Sequence, residues 1–303
     1  MSLAPIILFT YKRVAPLKAT IAALQKNFLA RDSFLYIFSD GPRHEHDKAQ
    51  VEEVRKYLRS VTGFREITIR ESEQNKGLAR SIIDGTSELI QQFGKVIVLE
   101  DDLLTTPNFL NFMNEALENY VYNQQVFSIS GYSFNLKPES SDDISEGYFL
   151  NRGWSWGWAT WADRWNQVDW QVEEYARFKN DKAARKRFAQ GGSDLNSMLD
   201  KQMTGLLDSW AIRWFFNQYK LEGVTLYPKL SKIYNNGFDQ YATHTNGSSS
   251  RYIPLLDTKH KTDFIFPDVH EIHPHYQKQF QHKMGLSSRI KSKIETLFIR
   301  YCK

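Results

Sequence analysis

This chain predicts an α/β fold with a mostly parallel central sheet, and three observations carry that expectation. Short apolar runs alternate with amphipathic helical stretches through the first 130 residues. The runs at 6–9, 34–38 and 96–99 are apolar at consecutive positions rather than alternate ones, the pattern of strands covered on both faces. The last of them ends in Glu100-Asp101-Asp102, three carboxylates at the end of a strand, where ligands collect in open α/β sheets.

The elements follow in order. Strand 6–9 leads into a helical stripe of Leu17, Ile21, Leu24 and Phe28. Strand 34–38 is followed by the turn Ser39-Asp40-Gly41-Pro42 and a helix with Val51, Val54 and Leu58 on one face. Strand 67–69 passes through Asn75-Lys76-Gly77 into a helix that turns Ala79, Ile82, Ile83, Ile90 and Phe93 inward, and strand 96–99 then delivers the acidic triplet. A helix bearing Phe109, Phe112, Ala116 and Tyr120 precedes strand 127–130. Residues 135–147 are polar and acidic and read as an exposed loop; Asn246-Gly247-Ser248-Ser249-Ser250 reads as a flexible loop and a candidate lid. No internal repeat or low-complexity tract interrupts the series. At the end, Leu286, Ile290, Ile294, Leu297, Phe298 and Tyr301 share one helical face, with Arg289, Lys291, Lys293, Arg300 and Lys303 around the other. A basic amphipathic helix of this kind lies on an anionic membrane, docks on the core, or forms a dimer contact.

Composition bounds the classes. The chain has 303 residues, 41% hydrophobic and 14% aromatic, ample for a large core. A net charge of +4, scattered except in the tail, argues against nucleic acid as a partner. The single cysteine, Cys302, leaves no internal disulfide or thiolate metal site and fits a reducing, cytoplasmic setting. No run approaches the roughly 20 apolar residues of a spanning helix.

Three adjacent acids repel one another, and a divalent cation is the simplest relief. Mg²⁺ and Mn²⁺ prefer carboxylate oxygen and keep positions open for substrate phosphates. The competing reading is a solvated acidic loop ahead of the helix after Pro107.

Taken together, Thr10 at the end of the first strand, Ser39-Asp40-Gly41, Asn75-Lys76-Gly77-Leu78-Ala79-Arg80 and the Glu-Asp-Asp triplet resemble GT-A fold glycosyltransferases. Within them, the match is to inverting enzymes of the N-acetylglucosaminyltransferase I type and to related bacterial polysaccharide transferases. The resemblance covers roughly residues 5–245. It implies a Rossmann-like catalytic domain over 1–285, with a nucleotide-sugar half to about residue 102 and an acceptor half over 103–250, followed by the amphipathic tail, 286–303. It also implies that Thr10, Tyr11 and Arg13 line the nucleotide pocket, that Asp40 accepts from the base, and that Asn75, Lys76 and Arg80 approach the diphosphate or donor sugar. Asp102 would ligate Mn²⁺ or Mg²⁺, with Glu100 and Asp101 contacting sugar, ribose or metal-bound water. Against these roles, Asp40 also suits a turn, and Asn75, Lys76 and Arg80 equally suit a helix cap and its solvated face.

Six tryptophans, Trp154, Trp156, Trp158, Trp161, Trp165 and Trp170, fall close together. Indole faces pack against pyranose C–H faces, so Trp154, Trp156 and Trp158 are candidate acceptor contacts. Tryptophan is usually buried, so more than half of the six are expected in the core. An inverting transferase needs a base opposite the leaving diphosphate. Asp208, ahead of Trp210 and Trp214, is the candidate, because the resembled enzyme carries its base in a similar acid-then-tryptophan context. The doubled acid of that context is Asp-Ser here, and a helix-cap role for Asp208 competes. Asp194 and Asp239 are fallback bases. The resemblance also implies that His244, in a late loop, reaches the metal or the diphosphate, a role against which a solvated loop histidine competes evenly. His270, His273 and His275 lack helical ligand spacing and read as surface loop.

The expected function is a metal-dependent, inverting transfer of a sugar from a nucleotide donor, UDP-linked, to a carbohydrate or lipid-linked saccharide hydroxyl. Its rivals are a sugar nucleotidyltransferase, which would need a glycine-rich first loop absent here, and a carbohydrate-binding or membrane-scaffold protein, which has no need of three carboxylates at a strand end.

Overall fold

The computed structural model describes residues 2–140, 143–237, 250–268 and 271–301. The first half contains β1 (Ile6–Thr10), α1 (Val14–Gln25), β2 (Phe34–Ser39), α2 (Lys48–Leu58), β3 (Glu66–Glu71), α3 (Leu78–Phe93), β4 (Lys95–Glu100), β5 (Leu103–Thr105), α4 (Phe109–Asn119) and β6 (Val126–Ser130). The second contains β7 (Gly147–Leu150), β8 (Trp158–Trp161), α5 (Ala162–Trp165), α6 (Tyr175–Asn180), α7 (Lys182–Phe188), α8 (Leu195–Met203), α9 (Trp210–Lys220), β9 (Val224–Pro228), β10 (Ile233–Asn235), α10 (Pro274–Met284) and α11 (Leu286–Tyr301).

Eight strands form one sheet in the order β3-β2-β1-β4-β8-β6-β9-β7. The pairs β1–β2, β1–β4, β2–β3 and β6–β9 are parallel, whereas β8 and β7 run antiparallel to their neighbours. The expected α/β architecture is the one observed. Strand alternation divides the core: Ile6 and Leu8 face Leu17, Ile21, Val54 and Phe112, while Ile7 and Phe9 lie with Ile82, Leu89, Trp158 and Trp214 on the other side. Both faces of β1 are therefore dry, which is why its sequence is apolar throughout.

One expectation is corrected. Phe28 does not extend the α1 stripe: the helix ends at Gln25 and Phe28 is 52% exposed. The cause is buried Asn27, whose amide donates to the Ala23 carbonyl and to Thr105 Oγ1 and whose oxygen accepts from Leu110 N–H, so the chain turns there. The tryptophan block also supplies a strand, β8, inserted between β4 and β6.

Candidate active site

From β1 the chain winds outward to β2 and β3, whereas β4 lies on the opposite side of β1. This reversal opens a crevice at the carboxyl ends of β1 and β4. Phe9 is in register with Glu100, so Thr10 to Arg13 leave the sheet beside the acidic triplet.

The three carboxylates have different surroundings. Asp101 turns inward, accepting from Thr10 Oγ1 at 2.9 Å, Tyr11 N–H at 3.4 Å and Arg13 Nη2 at 2.9 Å, while its backbone carbonyl accepts from Thr20 Oγ1. Arg13 Nη2 reaches on to Asp102 Oδ2 at 2.7 Å, so one guanidinium bridges both aspartates. Burial alone would weaken the Arg13 proton, but the two aspartate charges outweigh it and raise its pKa. Burial pushes Asp101 up, Arg13 opposes that, and the balance rests at about 6. Half-buried Glu100 has no hydrogen-bond partner among the described residues; burial and then the Asp102 and Asp101 charges push its carboxyl up to about 8. The triplet is short of positive charge at Glu100.

A second ribbon closes over the triplet. β10 pairs antiparallel with β5, the strand that follows Asp102, and Asn236 N–H donates to the Asp102 carbonyl at 2.8 Å. Gly237 then passes so near that a Cβ there would lie 2.1 Å from Asp102 Oδ2. Only glycine leaves the carboxylate its room.

The Asn75-Lys76-Gly77 turn is pinned by Asp40. Its Oδ1 accepts from Gly41 and Lys76 N–H at 2.9 Å each, and its Oδ2 from Asn75 Nδ2 and Gly77 N–H at 3.0 Å each. Four donors fill the usual capacity of a carboxylate. Asp40 is engaged in holding the loop, and Asn75 with it. Gly77, at φ +77°, starts α3 in a conformation that suits glycine. Lys76 is exposed, with no ion-pair partner among the described residues. Arg80 is solvated and pairs with Asp84 one helical turn on, at 3.4 Å.

Tyr11 donates to Asp47 Oδ2 at 2.9 Å and accepts from Arg43 N–H at 3.0 Å, and Lys12 Nζ meets Asp47 Oδ1 at 2.6 Å. The Lys12 hydrogen bond outweighs burial and holds the Asp47 carboxyl well below its ordinary range. Asp47 fixes the outer wall of this crevice, yet it lies 36 residues from Tyr11 and no local pattern singles it out.

Asp208 stands across from this loop, its Oδ2 3.9 Å from where a Gly77 Cβ would sit. Its side chain is 69% exposed, with Arg213 Nη2 3.6 Å from Oδ1. The cap of α9 is Ser209, whose Oγ accepts from Ile212 N–H, so Asp208 is left for other work.

The aromatic block is mostly core. Trp158, on β8, stacks on Trp165 and Trp210 and is sealed beneath α9; Trp154 is enclosed by Tyr132, Phe134 and Phe280. Both are corrected as acceptor contacts, since neither presents a face to solvent. Trp156 is half-buried, edge-on to Tyr132 and Tyr252, and keeps part of its surface open. The fallback base Asp194 is likewise corrected: Arg152 clasps it through two bonds of 2.8 and 3.0 Å. His273 pairs with Glu139 and His275 meets the Lys137 carbonyl. Asp239, His244, His270, Cys302 and the 246–249 stretch lie outside the described residues. Among the described residues no group of three or more His, Cys, Asp or Glu side chains is placed to hold a metal.

No protein-family model matches the chain, and no curated protein matches it in sequence. Solved structures do align with it. A mannosyltransferase from Pyrobaculum calidifontis, PcManGT, in complex with GDP-Man and Mn²⁺, aligns over 53% of this chain at 11% identity and a TM-score of 0.35. S. aureus TarS aligns over 78% of it in its 1–349 form, at 10% identity and a TM-score of 0.42, and over 77% in a second structure, at 10% identity and 0.40. The chain spans 44%, 60% and 36% of the respective lengths of those three chains.

Proposed function

We propose that this protein is a glycosyltransferase of the GT-A kind, moving a sugar from a UDP-linked donor to a saccharide hydroxyl with inversion. The observation that carries the reading is the convergence at one topological switch point of the Glu100-Asp101-Asp102 strand end, the Arg13 bridge, the Asp40-pinned loop and Asp208. The narrower likeness to N-acetylglucosaminyltransferase I rests on its motifs alone.

A divalent cation suits the donors present. Asp102 offers hard oxygen, the Gly237 cradle keeps space beside it, and Glu100 next to it sits in surplus negative charge. Mg²⁺ and Mn²⁺ commonly bind through one or two carboxylates plus substrate phosphates and waters rather than a full protein cage, so the lack of a three-ligand cluster among the described residues agrees with this. Asp102 would hold the ion, with His244 proposed as a second ligand. When bound, it supplies positive charge to a departing diphosphate.

The chain's own residues do the rest. Arg13 fixes Asp101 and Asp102 and limits their repulsion. Lys76 adds a mobile positive charge at the start of α3, where phosphate is also favoured by the helix end. Asp208 takes the acceptor hydroxyl proton as the new C–O bond forms and the sugar–phosphate bond breaks, releasing the nucleoside diphosphate. Trp156, the half-open indole of the block, borders the acceptor side.

The test is thermal stabilisation by UDP, GDP, dTDP and CMP, each with Mn²⁺ and with EDTA. A ligand at a hundred times its Kd adds about 2.7 kcal/mol to native stability. A shift with UDP and Mn²⁺ that EDTA removes is expected; no shift with any nucleotide overturns the proposal.

A further inference from the structure

Over residues 286–296, helix α11 turns its apolar side chains outward. Leu286, Ile290 and Ile294, spaced four apart on one face, are 66%, 56% and 48% exposed. The side that packs toward the body is polar: Ser288, Arg289, Ser292, Glu295 and Thr296 are only partly exposed. Arg289 Nη1 donates to Ser193 Oγ at 3.1 Å, and Ser250 donates to Glu295, tying the polar face to the loop after α7 and to the turn Ser250–Tyr252. An amphipathic helix that merely covered a core would be turned the other way.

The charges name the occupant. Projected at about 100° per residue, exposed Lys291 and Lys293 fall on opposite flanks of the stripe, and neither has an ion pair among the described residues. A second copy packed stripe to stripe would bring lysines against lysines. An anionic lipid surface accepts both parts at once, with the isoleucines entering the acyl boundary and the ammonium groups reaching headgroup phosphates. We propose that α11 is an interfacial anchor that holds the protein flat against an anionic bilayer. This rests on the helix alone and stands or falls apart from the transferase reading.

The test is flotation of the full chain with phosphatidylcholine vesicles, with and without phosphatidylglycerol. Binding is expected to the anionic vesicles only, and to weaken with salt. Lys291→Gln with Lys293→Gln should lower partitioning about 25-fold, at about 5-fold per lysine. Ile290→Asp with Ile294→Asp should abolish it while the melting temperature stays that of the wild type, since both positions are exposed. Wild-type protein that stays off anionic vesicles, or an Ile290→Asp/Ile294→Asp variant that floats like the wild type, overturns the proposal. A concentration-dependent dimer lost in that variant, without vesicle binding, assigns the stripe to a second copy instead.

Discussion

Asp40→Asn separates two jobs a carboxylate could do at this position. Asp40 accepts four N–H donors, two on each oxygen, and those donors shape the Asn75-Lys76-Gly77 turn. Asparagine keeps one acceptor oxygen, now neutral, and puts an NH₂ where the other stood, so two donors lose their charged acceptor outright. A hydrogen bond to a charged group contributes about 1.5–3 kcal/mol, which sets the loss at about 3–6 kcal/mol. Water reaching this exposed turn should return part of that, leaving about 2–4 kcal/mol in urea denaturation. Hydrogen exchange should quicken at the Lys76 and Gly77 amides, and UDP binding should weaken with it. A variant of wild-type stability and wild-type exchange at both amides, which nonetheless no longer distinguishes uracil from other bases, would refute the reasoning and make Asp40 a base reader.

Asp208→Asn should abolish sugar transfer while UDP affinity and melting temperature hold, because the side chain is exposed and caps no helix; retained turnover would remove it as the base. Gly237→Ala would push a methyl into Asp102 and should eliminate the Mn²⁺-dependent part of the UDP thermal shift, leaving any EDTA-resistant part; an unchanged shift would place the metal elsewhere. Asp194→Ala leaves Arg152 buried without its partner and should cost about 3–5 kcal/mol in urea denaturation. Burial raises the Asp194 carboxyl, but Arg152 more than offsets it and leaves its pKa below the ordinary 3.8. The pair's stabilisation is therefore complete above that pH and lost as pH falls through the lower native value, so the wild-type advantage over Asp194→Ala should shrink in acid titrations below about pH 4.

Strands β1, β2 and β4 were legible because a parallel strand covered on both faces writes itself as an unbroken apolar run. The acidic triplet was legible for the same reason, as an abrupt end to such a run. β8 was not: Trp-Ala-Thr-Trp reads equally as a binding wall, and only its pairing with β4 and β6 makes it sheet. The fate of the tryptophans likewise depends on which helices cover them, information spread between Trp158 and Trp214. Asp40 and Asp194 show where residue type stops being informative. Each is a plausible acceptor or base in sequence, and each is occupied by partners 35 to 42 residues away that folding alone brings near. Arg13 was read toward the nucleotide, but its bridge between two aspartates depends on side-chain direction at the end of β1, which no motif spacing encodes.

The sealed indoles have an optical consequence. Trp158 lies with ring centroids 5.6 Å from Trp165, 4.9 Å from Trp210 and 5.6 Å from Trp214, and Trp165 continues the contact to Trp170 at 4.7 Å. Chromophores this close exchange excitation and couple their transitions, so the second half of the chain carries a built-in near-ultraviolet signature, part of which depends on α9 lying on β8. Trp210 is two residues from Asp208, which faces the Asn75–Gly77 turn. The same signature therefore offers a label-free view of any ligand that settles into that turn.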